Sequence, residues 1–213
     1  MSSQPGIGRI DHLVWSTPDL ESGISQVEAL TGVRPSAGGS HPGVGTHNAL
    51  LSLGERRYLE IIASDPDQAD YRRPRPFQLD VLDRPQLVTW AANTNDLASR
   101  AGLSFADGQA LGEMAALSRT RPDGVTLSWQ MTDPYVRVDG GVVPFLIDWG
   151  QSLHPAADLA DEVRLLALQI RHPRAASVRD KLHRLKIDIE VAPSDHAELV
   201  AILDTPAGTV ELR

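Results

Sequence analysis

The sequence predicts an α+β protein assembled from βαβββ units, and three observations carry that prediction. A strand, a helix and a set of further strands recur in that order three times along the 213 residues; recurrence of this kind marks a repeated structural unit. Two of the helices open on polar capping segments, Thr17-Pro18-Asp19 and Thr94-Asn95-Asp96, which satisfy the free N–H groups of a first turn. Turn signals then separate the later strands: Gly54-Glu55, Pro122-Asp123-Gly124 and Thr205-Pro206-Ala207-Gly208.

In the first unit Ile10-Asp11-His12-Leu13-Val14-Trp15 has strand character. Thr17 caps the following helix, Pro18 suits its first position, and Asp19 favours the positive end of its dipole. Leu20, Ile24, Val27 and Leu30 repeat at helical spacing and form one apolar face, and Gly32 ends the helix. A Gly-rich stretch with a short strand runs from Ala37 to Gly45. Strands His47 to Leu53 and Arg57 to Ala63 follow. The second unit repeats the pattern with a strand at Leu87 to Ala92, a short helix ending at Gly102, and strands at Glu113 to Arg119, Val125 to Met131 and Pro144 to Trp149. The third runs from a strand at Arg164 to Ile170 through a helix with Ala175, Val178, Leu182 and Leu185 on its buried face. Its later strands are Ile187 to Val191, Leu199 to Asp204 and Thr209 to Leu212. The expected organisation is a core of two units over residues 1–160, with the third, 161–213, packed on it. An odd number of units leaves free edge strands, which favour a homodimer.

A net charge of −8 argues against general nucleic-acid binding, which requires Lys and Arg to neutralise phosphates. No apolar run reaches the roughly 20 residues that span a bilayer, and the N-terminal segment lacks the apolar core of a signal peptide. With no cysteine, thiolate chemistry and disulfides are excluded, and the cytoplasm is the expected location. Gly6 and Gly8 do not follow a strand, so they make no dinucleotide-binding turn. Ser52-Leu53-Gly54 lacks the frame of a nucleophile elbow.

The strings Ile10-Asp11-His12-Leu13-Val14, Pro18-Asp19-Leu20, Gly45-Thr46-His47-Asn48-Ala49-Leu50 and Tyr58-Leu59-Glu60-Ile61-Ile62, with Val143 to Gly150 later, resemble the glyoxalase-like branch of the vicinal-oxygen-chelate superfamily. The resemblance implies paired units whose sheets curl into a half-open barrel, helices on the convex side, around a divalent metal held from first and last strands. His12 matches the first-strand ligand and Glu60 the last-strand one. Strand alternation agrees, placing Ile10, His12 and Val14 on one face and Tyr58, Glu60 and Ile62 on one face. The corresponding first-strand positions of the other units are Thr89 and Ala167, neither an imidazole. His47, at the start of the strand beside Glu60, offers a compensating third ligand.

The expected site is therefore His12, His47 and Glu60 around Mn²⁺, Fe²⁺, Ni²⁺ or Zn²⁺. Glu60 doubles as catalytic base, and Asp148 and Trp149 line the mouth for a small-molecule substrate. The chemistry implied is that of a metal-dependent lyase, isomerase or dioxygenase acting on vicinal oxygens. The alternative is a barrel that sequesters a small molecule without catalysis. A metal-free enzyme with Glu60 as sole base is the third reading. Turn chemistry explains Thr46 and Asn48 as well as a site role does. His41 and His154 are loop residues within range of a site, and His172, His183 and His196 read as structural.

Overall fold

The computed structural model describes residues 9–121 and 123–213. Gly6, Gly8 and Pro122, considered above, lie outside the described residues. The first unit comprises β1 (Ile10–Ser16), α1 (Leu20–Thr31), β2 (Ser36–His41), β3 (Thr46–Ser52) and β4 (Tyr58–Ser64). The second comprises β5 (Gln86–Asn93), α2 (Leu97–Ala101), β6 (Met114–Thr120), β7 (Thr126–Thr132) and β8 (Phe145–Asp148). Their eight strands form one sheet in the order β2-β3-β4-β1-β5-β8-β7-β6. In each unit the last strand returns parallel to the first, and the two units join through antiparallel β1 and β5. The outer strands β2 and β6 approach each other, so the curled sheet nearly closes. Among the described residues no helix is long and apolar enough to cross a membrane.

Local chemistry sets these elements with two corrections. Asp19, not Thr17, caps α1: its carboxylate accepts the Ser22 N–H at 2.8 Å, while the Thr17 hydroxyl donates to the Asp19 carbonyl. Gly32 ends the helix at φ 75°, a conformation that costs glycine least. Leu30 is exposed, and Thr31 takes its place on the buried face with Ile24 and Val27.

The third unit has the expected element order: β9 (Arg164–His172), α3 (Ala175–Arg184), β10 (Val191–Pro193), β11 (Glu198–Thr205) and β12 (Gly208–Leu212). Its strands form a separate sheet, β10-β9-β11-β12. Here β9 is interior, between parallel β10 and antiparallel β11, whereas β1 and β5 pair in parallel with the last strand of their units. Ile187 and Ile189 are buried but precede the strand, which begins only at Val191, after the chain reverses at Lys186 with φ 58°.

This second sheet covers the convex face of the first. Leu13, Trp15, Leu59 and Ile61 share one continuous apolar cluster with Leu168, Ile170, Val178 and Leu203. Each such side chain removed from water contributes about 1.5–3 kcal/mol, so the face requires cover. A buried ionic contact reinforces the junction: Lys181 of α3 donates at 2.6 Å to both Asp107 and Asp139 of the second unit. The concave face carries a smaller cluster that includes Val14, Ile62, Met131, Phe145 and Ile147.

The seam between β2 and β6 depends on glycine. A Cβ at Gly38 would fall 2.0 Å from Asn48 Oδ1 and 2.6 Å from an Arg119 nitrogen, and one at Gly39 would fall 2.8 Å from the Thr120 carbonyl oxygen. The Gly-rich stretch is thus the line along which the barrel closes. Gly38→Ala is expected to destabilise the protein by roughly 1–3 kcal/mol, measured by urea denaturation; a neutral result would show that the seam is open in solution.

Candidate functional site

The site begins with an irregularity in β1. The register with β5 shifts between Ile10 and His12, so one extra residue is accommodated and the alternation of faces breaks. Ile10 packs in the convex cluster with Leu13, contrary to the expectation that it shares a face with His12. Asp11 and His12 consequently lie together. Asp11 accepts from His12 Nδ1 at 2.8 Å, from the Trp149 indole at 3.1 Å and from His154 Nε2 at 3.2 Å. Burial would raise the Asp11 pKa, but hydrogen bonds and charge from His12 and His154 outweigh it and lower the value to about 2. The carboxylate is therefore ionised and acts only as an acceptor. His154 Nδ1 accepts the Ala156 N–H, which leaves its Nε2 to donate. With Nδ1 of His12 committed to Asp11, its Nε2 faces the barrel interior, 3.8 Å from Glu60 Oε2. Tyr58 stacks on the His12 ring at 4.6 Å and 19°, and burial pushes its phenol pKa well up.

A second chain of contacts fixes Glu60 from the opposite side. Asn48 Nδ2 donates to Glu60 Oε1 at 2.5 Å, and Asn48 Oδ1 accepts from Arg119 at 3.2 Å. His41 completes the arrangement: one ring nitrogen lies 2.9 Å from the Thr46 hydroxyl and the other 3.4 Å from Asn48 Nδ2. Since that amide nitrogen can only donate, His41 Nε2 accepts and its Nδ1 carries the proton. Burial lowers the His41 pKa to about 4, against an opposing pull from Glu60. Burial also lowers that of Arg119.

His12, Tyr58, Glu60, Asn48, His41 and Arg119 line one concavity that opens to solvent. His12, Glu60, Asn48, His41 and Arg119 supply its polar wall; Trp129, Trp149, Phe77, Phe145, Met131 and Leu117 supply much of the rest. A mostly apolar concavity with a few convergent polar groups is the usual form of a small-molecule site. The structure brings His12, Glu60 and Trp149 together as expected. His47 is elsewhere. Alternation along β3 sends Thr46 and Asn48 inward and His47 outward, to a shallow surface depression beside Pro18, Asp19 and Asp65. Asp148 does not line the cavity, and its carboxylate accepts the Gly150 N–H at 2.9 Å.

The donor set does not fit a resident divalent metal. Among the described residues no three His, Asp or Glu side chains converge as a metal would need. His12 and Glu60 give two ligands, and Thr89 of the second unit spends its hydroxyl on the Gly141 carbonyl at 3.0 Å. The Asn48 oxygen, the next donor, already accepts from a guanidinium. Two contributors escaped the sequence: Asp11, hidden by the bulge, and Arg119, whose alternation with Leu117 in β6 signals an inward position; for Asn48, which turn chemistry and a site role explain equally well in the sequence, the inward placement supplies what residue type alone does not.

Comparison with known proteins agrees with the architecture. A family model described as a glyoxalase-like domain matches residues 10–186, the first two units with β9 and α3. No curated protein matches the chain. Among solved structures, a hypothetical protein from Staphylococcus aureus is 15% identical, with 95% of this chain and 83% of that chain covered, at a TM-score of 0.59; it shares the fold. Methylmalonyl-CoA epimerase from Mycobacterium tuberculosis is 17% identical over 70% of this chain and 93% of its own, at a TM-score of 0.43. A hypothetical protein from Bacillus halodurans is 12% identical over 68% and 96%, at 0.41.

The buried imidazole of His41 makes stability pH-dependent. Its folded pKa of about 4 lies below the ordinary 6.5, so the unfolded chain binds the proton first and stability falls as pH drops through that window. The loss is on the order of 3 kcal/mol. Denaturation between pH 7 and 4 is expected to show it, with a shallower slope in His41→Gln. An unchanged slope in that variant would remove His41 as the cause.

Proposed function

The chain belongs to the glyoxalase-like domain family, and on that premise we propose that it is an enzyme of isomerase or lyase type that moves a proton on a small oxygenated molecule bound in the barrel. The observation that carries this reading is the pair His12 Nε2 and Glu60 Oε2, 3.8 Å apart in an aromatic cavity, each fixed from behind by a separate buried partner. Glu60 takes a proton from the carbon beside a substrate carbonyl, and the electron pair passes to the carbonyl oxygen. Asn48 and Arg119 supply the donors on that wall. Return of the proton to another carbon or face gives an isomer; loss of a leaving group gives an alkene. Asp11 keeps His12 in one tautomer and orientation, so its free nitrogen can exchange a proton with Glu60 or substrate. In this reading residues 1–160 carry the site and 161–213 brace it. The site is completed within one chain, so a homodimer through the free edges β10 or β12 would leave it intact.

The apolar lining favours one further reading, a barrel that binds its ligand without turnover. Proton exchange separates the two. In D₂O, wild-type protein is expected to catalyse deuterium uptake next to the carbonyl of small oxo compounds, followed by NMR. Glu60→Gln should lower the rate at least about a hundredfold, the scale of general base catalysis, while raising melting temperature with ligand as the parent does. Ligand-induced stabilisation of wild type without any exchange would leave sequestration as the function.

Metal content gives a second test. After incubation with Mn²⁺, Fe²⁺, Ni²⁺ or Zn²⁺ and gel filtration, untagged protein is expected to retain well under one equivalent, and exhaustive chelation to leave exchange unchanged. Near-stoichiometric metal, lost in both His12→Ala and Glu60→Ala, would restore the metal-dependent chemistry and overturn this assignment.

A further inference from the structure

Arg119 is 4% exposed and lines the cavity. It donates to a neutral partner, the Asn48 oxygen, at 3.2 Å; among the described residues no carboxylate lies within ion-pair distance of its guanidinium. Two other buried cations among the described residues behave differently: Lys181 has two carboxylates at 2.6 Å each, and Arg57 has Glu55 at 2.7 Å. A buried charge without a counter-ion is costly, because desolvation is not repaid. The nearest acid, Glu60, is held off by the interposed amide of Asn48, which binds Glu60 with its nitrogen and Arg119 with its oxygen. The guanidinium therefore keeps most of its donor fork for whatever fills the cavity.

We infer that the ligand is a small organic acid bearing an aromatic or bulky apolar group, with its carboxylate on Arg119 and its apolar part against Trp129 and Trp149. This rests on the reading of the cavity as the ligand site. A planar guanidinium with paired N–H groups matches a carboxylate in two parallel hydrogen bonds, which a point-charge cation cannot do. Along the neighbouring strands stand two indoles, Trp129 of β7 and Trp149 at the end of β8, with centroids 5.2 Å apart; Trp149 is anchored to Asp11, and Phe77, Phe145 and Met131 line the same cavity. Anchored at Arg119, such an acid presents the carbon next to its carboxylate toward Glu60, one amide's width away. The substrate's own charge thus supplies the missing counter-ion and orients the carbon that exchanges its proton.

The test compares phenylacetate with phenylacetamide, matched in shape and differing in charge, by quenching of intrinsic fluorescence from Trp129 and Trp149. Wild type is expected to bind the acid at least about tenfold tighter than the amide. Arg119→Met should erase that preference by weakening the acid alone. Equal or tighter binding of the amide by wild type would overturn the inference while leaving the cavity as the ligand site. No response to either compound up to about 10 mM would instead remove the cavity reading, and this inference with it. The wild-type comparison stands even where Arg119→Met fails to fold.

Discussion

The carboxylate of Asp11 organises the site. It is buried, ionised, and surrounded by donors from three separate segments: His12 of β1, Trp149 at the end of β8 and His154 of the connector to the second sheet. Charge-assisted hydrogen bonds of this kind are about twice as strong as neutral ones, and each depends on the carboxylate staying charged. The position of the His12 imidazole, the tilt of a cavity-lining indole and the path of the chain out of the barrel are therefore set by one side chain. The bulge that makes this possible departs from regular pairing by a single residue.

Around that hub the cavity divides its labour. On the adjacent strands β1 and β4, His12 is held through Asp11 and Tyr58, and Glu60 through Asn48, itself in contact with His41 and Arg119. His12 Nε2 and Glu60 Oε2, 3.8 Å apart, are close enough for one ligand atom lying over the pair to reach both. Closure of the barrel at Gly38 and Gly39 brings Arg119 of the second unit against Asn48 of the first. The polar wall is thus assembled from both units, although the two groups that face each other, His12 and Glu60, come from the first alone.

Much of the fold was legible because its signals are local. Alternation along Tyr58 to Ile62, the turn at Gly54 and the glycine stop of α1 each act within a few residues. What failed was register. His47 and Thr46 are neighbours, and only the pairing of β3 decides that Thr46 and Asn48 face the cavity and His47 the outside. Ile10 failed for the same reason, since a bulge is invisible to a period of two. The topology of the third unit was likewise hidden: element order fixes which strands exist, but not that β9 pairs with both β10 and β11. At the site, His12, Glu60 and Trp149 stood out by residue type. Asn48 and Arg119 are ordinary residues whose importance comes from meeting across a seam 71 residues apart in sequence.

The buried contact of Lys181 with Asp107 and Asp139 has a consequence for how the molecule comes apart. Asp139 belongs to the segment whose Gly141 and Val142 carbonyls receive Thr89 and Trp90 of β5, so α3 is tied to the strand that joins the two barrel units. Peeling the second sheet away would strand three charges and bare an apolar face in the same event. The two sheets are accordingly coupled into one cooperative unit, and heat should release them in a single calorimetric step rather than in succession.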